Sequence, residues 1–306
     1  MSRVIVIRAK SGWTYPFDKK QYRQLLETGI RLLTETESVG DALRFLIPGG
    51  KVGMKANCLT RRLNSTPVAL GEALTELLTD TGREPNNLII WDRTNRELEQ
   101  SGYRLNASSF GSRCLGTDTN GVGYSEEFYN SGEVNSLVSR ILTDLVDHSI
   151  NLPILKDHSI AGLSGCLKNM YGAIHNPNKF HDNNCDPFAA HVSNLNPIRD
   201  KHRLAIMDAV RIQYQGGPGF NSEYLAPYGG LIISSDSVAA DRIGLELIES
   251  LRAQRGLPSL ENAGRPVKYL KSAEGLGLGT ADMEKIDIET YRLTDSGQPL
   301  KGGLTE

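Results

Sequence analysis

The sequence has no excess of either charge sign, because 34 Lys and Arg residues stand against 36 Asp and Glu residues, a formal net charge of -2. Domains that bind nucleic acid carry a cationic surplus, so we expect no nucleic acid partner, and any anion must be held by a local site. The longest apolar runs, such as residues 4–7 and 88–91, fall far short of the roughly 18 residues that a membrane helix needs. We therefore expect no membrane partner.

Cysteine is scarce and scattered, and no Cys-x-x-Cys pair is present. This spacing excludes zinc-ribbon and ferredoxin-type motifs, so we do not expect an iron-sulfur cluster. Isolated thiols are the preferred interpretation, and two disulfides in an exported form are the alternative. The cysteines are Cys58, Cys114, Cys166 and Cys185.

The amino-terminal residues lack the long apolar region of a secretory signal. Ser2 and Arg3 are followed by the short apolar run 4–7, which predicts a first strand. We therefore expect the chain in the cytoplasm, and an exported form would require a leader ahead of Met1.

Short apolar runs typical of buried strands alternate with amphipathic helix patterns along the 306 residues. Helical spacing of apolar residues predicts helices over residues 66–78, 134–145 and 236–251. Such alternation predicts an α/β fold with a mainly parallel sheet and helices on both faces, in a single domain. The predicted strands are residues 4–7, 52–54, 88–91, 152–155, 204–207 and 231–233.

Residues 102–132 break this alternation, since they are rich in Gly, Ser, Asn and Asp and have weak periodicity. We expect an irregular insertion here that forms a small subdomain or a lid. Farther along, residues 266–273 predict a short helix and residues 286–293 a final strand.

Polar residues follow the predicted strands at the carboxyl edge of the sheet, where open parallel sheets bind ligands. A lysine directly after a buried strand needs an anion or a carboxylate partner, which points to Lys55 and Lys156 as ligand-binding residues. Helix capping is the alternative role for the aspartates at these edges. The residues concerned are Lys55, Asn57, Asp92, Lys156, His158, Asp208 and Asp236.

Residues 162–175 are the most informative segment. If they are helical, Leu163, Leu167, Met170 and Ile174 share an apolar face, and Gly165, Lys168, Asn169, Gly172 and His175 share the opposite one. Two glycines inside a helix cost roughly 1 kcal/mol each relative to alanine. Close approach of a ligand or of another backbone explains that cost, and tight helix packing is the competing explanation.

Histidines cluster in the same part of the chain. His158 and His175 flank the Lys168-Asn169 pair, so they are candidates for acid/base catalysis near neutral pH. The histidine spacings match no zinc signature. A divalent metal is therefore an optional extension, with His175, His181 and Asp182 as its ligands.

Taken in order, these pieces resemble the domain-of-unknown-function 362 family over residues 4–293. The resemblance implies cofactor-linked redox or anaerobic chemistry in those family members that are exported by the twin-arginine route or fused to ferredoxin-like modules. This sequence has neither feature, so an iron-sulfur role does not transfer.

The layout is also distantly similar to the N-terminal domain of nickel-dependent lactate racemases, whose Lys/His pocket handles a hydroxy acid. The matching pieces are Lys55-Ala56-Asn57, Thr66-Pro67, Lys156-Asp157-His158, Lys168-Asn169 between Gly165 and Gly172, Asp208, the Gly217-Pro218 turn, Ser235-Asp236 and Ala240-Asp241.

Two hypotheses about function follow. In the first, the chain is an enzyme for a small anionic molecule, a carboxylate or a phosphate, with His158, His175 and Lys168 as catalytic residues. In the second, the same pocket captures an anionic ligand or cofactor without catalysis. The sequence does not name the substrate or the reaction, and it does not choose between a monomer and a homodimer. The expected substrate-binding residues are Lys55, Asn57, Lys156, Asn169 and Asp208.

Overall fold

The computed structural model describes residues 1–305, and most of its strands belong to one large sheet. In the described residues this sheet has eleven strands, in the order β13-β12-β1-β11-β10-β7-β2-β3-β4, with β8 paired to β10 and β9 paired to β8. A separate hairpin consists of β5 and β6. The strands are β1 (Ser2–Arg8), β2 (Val52–Lys55), β3 (Leu88–Asp92), β4 (Arg113–Gly116), β5 (Tyr129–Ser131), β6 (Val134–Ser136), β7 (His148–Asn151), β8 (Ile154–His158), β9 (Gly162–Ser164), β10 (His202–Gln213), β11 (Leu225–Ser234), β12 (Ile286–Leu293) and β13 (Pro299–Lys301).

Parallel pairing predominates in this sheet. Among the described residues, six strand pairings are parallel and four are antiparallel. The parallel pairings include the continuous block of β7, β2, β3 and β4. Parallel strands need crossover connections, and helices such as α3 between β2 and β3 provide them. The α/β fold with a mainly parallel sheet is confirmed.

The long strand β10 has two parallel neighbours on the same side. Its first residues, up to Ala205, pair with β7, and residues from Asp208 onward pair with β8. The sheet is therefore forked, with β7 and β8 as separate arms.

Side-chain alternation sends each strand's apolar residues to two different helix layers. In β1, Ile5 and Ile7 pack in the core beneath α1, α2 and α3, whereas Val4 and Val6 pack in the core beneath α8. Helices thus cover both faces, as predicted. No helix in the described residues 1–305 is both long and apolar enough to cross a membrane. The helices are α1 (Lys19–Thr34), α2 (Val39–Leu46), α3 (Val68–Asp80), α4 (Asn95–Ser101), α5 (Cys166–Asn169), α6 (Phe188–Ser193), α7 (Asn196–Arg199), α8 (Ser237–Ala253) and α9 (Tyr269–Gly275).

Residues 102–132 are largely irregular, as expected, but they contribute to the main sheet. Within them β4 pairs in parallel with β3 and forms the edge of the sheet. The segment is therefore built into the body of the fold through this edge strand.

Two helix predictions were wrong. Residues 134–145 form β6 followed by a single π-helical turn at Ile141–Leu145, because the apolar residues there are spread over a strand and a turn. Residues 162–175 form β9, the one-turn helix α5 and a 3-10 turn at Met170–Ala173. The final strand at residues 286–293 is confirmed by β12.

Gly165 explains why the segment cannot be one helix. The carboxylate of Asp241, in α8, accepts hydrogen bonds from the backbone N–H groups of Cys166 and Leu167. A Cβ on Gly165 would lie 2.1 Å from Asp241 Oδ1. The buried carboxylate therefore caps the start of α5 and requires a glycine before it.

We predict that Gly165→Ala destabilises the protein by roughly 1 to 3 kcal/mol, because the added methyl group must displace Asp241 in a packed interior. Gly275→Ala is the matched control, since its Cβ would meet no atom within 4 Å. Urea unfolding followed by circular dichroism measures both variants. Equal stability of the two would contradict the proposed capping arrangement.

Candidate functional site

A cavity of about 370 Å³ opens where β2, β3 and β8 end, beside α5 and the turns that follow it. It gathers most of the residues that the sequence singled out as ligand-binding or catalytic. Its lining includes Lys55, Asn57, Lys156, His158, Lys168, Asn169 and His181.

Lys55 and Asp92 form a buried ion pair at the floor of the cavity. Lys55 Nζ lies 2.6 Å from Asp92 Oδ1 and donates to the carbonyl oxygen of Ala56 at 2.7 Å. Asp92 Oδ2 accepts the backbone N–H of Cys58 at 2.6 Å. A Cβ on Gly172 would lie 2.8 Å from Lys55 Nζ. The glycine predicted to permit a close approach thus makes room for this ion pair.

A chain of side-chain amides runs from the pair to the neighbouring lysine. Asn169 Nδ2 donates to Asn151 Oδ1 at 2.7 Å and to the Lys55 carbonyl oxygen at 3.2 Å, which leaves Asn169 Oδ1 facing Asn57. Asn57 Nδ2 donates to that oxygen at 3.2 Å. The next contact, at 3.4 Å, joins Lys156 Nζ to Asn57 Oδ1. Each amide is therefore fixed in one orientation.

Thr66 holds Asn57 in place rather than capping α3. Its hydroxyl donates to the Leu152 carbonyl oxygen at 2.6 Å and accepts the Asn57 N–H at 2.8 Å. The residue at the start of α3 is Pro67, which makes no side-chain capping bond.

Lys156 is the most isolated cation of the site. Its side chain is 1% exposed, and among the described residues its only hydrogen bond is to Asn57, with no ion pair. Burial lowers the pKa of Lys156 to about 8, although Asp92 acts in the opposite direction. A buried ammonium group without a carboxylate partner is costly unless an anion joins it.

Lys168 lies against two rings. Its Nζ is 3.3 Å from the centroid of the Tyr171 ring and 3.1 Å from His181 Nε2. His181 Nδ1 donates to the Pro177 carbonyl oxygen at 3.0 Å, so Nε2 is the accepting nitrogen of a neutral ring. Burial lowers the pKa of Lys168 to about 8. Lys168 and His181 are thus a donor and an acceptor within proton-transfer distance.

His158 is arranged as a neutral hydrogen-bond donor. Its Nδ1 accepts the backbone N–H groups of Ile160 at 3.1 Å and Ala161 at 3.2 Å, so in the neutral ring the proton sits on Nε2. Burial, together with the positive charge of Lys168, lowers the pKa of His158 to about 3. This environment does not fit the acid/base role near neutral pH that the sequence predicts for His158.

The cavity carries a positive surplus. Its charged lining residues are four cations and two carboxylates, and the carboxylate of Asp92 is already paired with Lys55. The charged residues are Lys55, Arg93, Lys156, Lys168, Asp92 and Glu97.

Three of the predicted catalytic, substrate-binding and metal-ligating residues lie outside the cavity. Asp208 points to the opposite face of the sheet, where Tyr22 Oη donates to its carboxylate at 2.7 Å, and burial raises the pKa of Asp208 to about 6. His175 is exposed and packs edge-on against Tyr124. Asp182 is also exposed. The metal prediction has no matching geometry, because no group of three or more His, Cys, Asp or Glu residues in the described chain is arranged to hold a metal ion.

The family model for the domain of unknown function DUF362 matches residues 52–246, more than half of the chain and every residue that lines the cavity. The chain belongs to the DUF362 family. A crystal structure of a Thermotoga maritima protein, a Northeast Structural Genomics Consortium target, aligns with 79% of this chain at 12% identity and a TM-score of 0.41. The alignment covers 60% of that chain. No curated protein matches, and the similarity to lactate racemases is not shown.

Three residues that shape this DUF362 site are absent from the expected set of site residues: Asp92 and Tyr171 line the cavity, and Asn151 contacts the lining residue Asn169. The sequence marks Asp92 only as a strand-end residue with helix capping as its alternative role, and its position at the end of β3 is the available signal. Tyr171, beneath Lys168, gave no signal of its own. Asn151 orients Asn169 from the end of β7, and nothing in its sequence surroundings distinguishes it.

We predict that His158 stays neutral, with its proton on Nε2, between pH 5 and pH 9, since its pKa is about 3. Two-bond nitrogen-proton correlation NMR reads the tautomer, and His158→Gln assigns the signal. A His158 ring that gains a proton near pH 6.5 would contradict the two backbone hydrogen bonds at Nδ1.

Proposed function

We propose that this DUF362 protein is an enzyme for a small anionic substrate, a carboxylate or a phosphate, bound in the Lys/His/Asn cavity. The observation that carries the proposal is the pair of buried ammonium groups, Lys156 and Lys168, which have no carboxylate partner among the described residues. An anion that enters the cavity would replace the water that these groups lose on burial.

Each side chain has a separate role in this proposal. Lys156 and Lys168 bind the anionic group, and Asn57 orients it, since its amide is held by Asn169. His158 donates a hydrogen bond from Nε2 to an oxygen that becomes negative during the reaction. This donor role replaces the acid/base role expected from the sequence.

Lys168 and His181 transfer protons in this proposal. Their nitrogen atoms are 3.1 Å apart, and the ammonium group of Lys168 has a pKa near 8, within reach of ordinary cellular pH. An ammonium group that only binds an anion does not need a neutral imidazole acceptor beside it. This contact favours an enzyme over the alternative, a non-catalytic binding protein.

We predict that Lys156→Met weakens the binding of malonate and inorganic phosphate by about 10- to 100-fold, because a charge-assisted hydrogen bond contributes roughly 1.5 to 3 kcal/mol. Isothermal titration calorimetry measures this. Lys271→Met, an exposed lysine on α9, is the control and should bind like the wild type. Equal loss in both variants, or no loss in either, would place the anion elsewhere.

We predict that malonate affinity falls as the pH rises above 8, by about tenfold per pH unit for each lysine that must be protonated to bind the anion. The affinity falls with rising pH because the pKa values of Lys156 and Lys168 are lowered to about 8 in the free protein. Above pH 8 the free lysines are increasingly neutral, so they must take up a proton when the anion binds. Calorimetry in buffers of different ionisation enthalpy should show proton uptake on binding at pH 9. Binding without proton uptake would exclude both lysines as anion ligands.

The catalytic part of the proposal is tested by deuterium exchange. We predict that the protein speeds the exchange of carbon-bound protons of pyruvate or malonate in D₂O, observed by proton NMR. His181→Gln should slow this exchange by at least about tenfold. This is a conservative bound, because acid/base catalysis usually contributes about a hundredfold or more to a rate. Malonate binding should change little. If the wild type binds malonate and yet exchanges neither compound, the binding-protein hypothesis replaces the enzyme.

A further inference from the structure

The three lysines of the cavity are not equivalent as nucleophiles. Lys55 Nζ is held by Asp92 at 2.6 Å, and Lys168 Nζ is held between His181 and the Tyr171 ring. Lys156 has only the long contact of 3.4 Å with Asn57 Oδ1. When the amine of Lys156 is neutral, its lone pair is therefore freer to react than that of Lys55 or Lys168.

We propose that Lys156 forms an imine with the carbonyl carbon of a small 2-oxo acid whose carboxylate is bound by Lys168. This inference rests on the proposed anion site and specifies its substrate class. A 2-oxo acid has a carboxylate that Lys168 can bind and, next to it, an electrophilic carbonyl carbon that the Lys156 amine can attack.

The surroundings of Lys156 favour a neutral amine. The side chain is almost fully buried, and burial lowers the pKa of Lys156 to about 8, although the carboxylates of Asp92 and Asp157 act in the opposite direction. Desolvation of a buried lysine is a general means of producing a nucleophilic amine. Lys55 Nζ instead forms an ion pair with Asp92.

The same residues supply the proton transfers that imine formation requires. The Nζ lone pair of Lys156 attacks the carbonyl carbon, a C–N bond forms, and the carbonyl oxygen takes up a proton. The nitrogen then loses its protons, and the hydroxyl group leaves as water after a second proton transfer. Amine and carbonyl give imine and water, so no oxidant or reductant is needed.

The acid and the base for these steps line the same cavity as Lys156. That cavity is lined by Lys156, His158, Lys168 and His181, and the ring centroids of His158 and His181 lie 5.8 Å apart. The Lys168 ammonium group can protonate the leaving hydroxyl, and His181 Nε2 can accept a proton in exchange. His158 Nε2 remains a donor to the developing negative oxygen.

The test is reductive trapping. The full-length protein is incubated with pyruvate and sodium cyanoborohydride, which reduces an imine to a stable secondary amine, and peptide mapping by mass spectrometry locates the carboxyethyl group. We expect modification concentrated at Lys156. Acetone, which has the carbonyl group without the carboxylate, should label this lysine at least about tenfold more slowly if anion binding directs the reaction.

Variants make the assignment specific. Lys156→Arg keeps the positive charge but removes the nucleophilic amine, so trapping in the cavity should fall by at least about tenfold, while Lys271→Arg should be trapped like the wild type. Circular dichroism checks that both variants fold. The wild-type map is decisive even if Lys156→Arg fails to fold, because labelling spread over exposed lysines with Lys156 unmodified overturns the inference.

The outcomes also separate this inference from the proposed function. Malonate binding that depends on Lys156, together with no adduct at Lys156, overturns the imine and leaves the anion site in place. Absence of both malonate binding and adduct overturns both. An adduct at Lys156 that also forms equally fast with acetone contradicts the role of Lys168 as the carboxylate-binding residue.

Discussion

The buried ion pair between Lys55 and Asp92 is the constraint on which the site depends. It joins the ends of β2 and β3, and the second oxygen of Asp92 fixes the backbone that follows β2 at Cys58. Replacing such a pair with apolar residues is often neutral, but removing one partner alone costs about 3 to 5 kcal/mol. Because the pair is internally neutral, the positive surplus of the cavity comes from Arg93, Lys156 and Lys168, against the single carboxylate of Glu97.

The edge of the sheet at which the site lies could be predicted from the sequence, but the face to which each side chain points could not. Parallel strands bring their carboxyl ends together, and this rule places Lys55 and Lys156 at one cavity. Asp208 departs from this rule, because β10 continues to Gln213 and alternation directs the Asp208 side chain to the face covered by α1, where it meets Tyr22. Predicting that difference requires the register of β10 in the sheet.

The local structure of residues 162–181 depends on contacts that are distant in sequence. The prediction of a single helix failed because Asp241, on α8, caps a start at Gly165 that no local pattern indicates. Lys168 and Asn169 nevertheless reach the cavity, since both lie on the single turn of α5. The roles of the histidines could not be predicted either, because they depend on hydrogen bonds of His158 and His181 to the backbone.

The fork in the sheet has a consequence for how the site can change during evolution. Lys55 ends β2, which pairs with β7, whereas Lys156 lies on the other arm, β8. In the described residues β2 and β8 do not pair directly, and the amides of Asn57 and Asn169 bridge the two ammonium groups. Substitution at position 57 would therefore change the shape of the cavity between the two lysines while the strands keep their register.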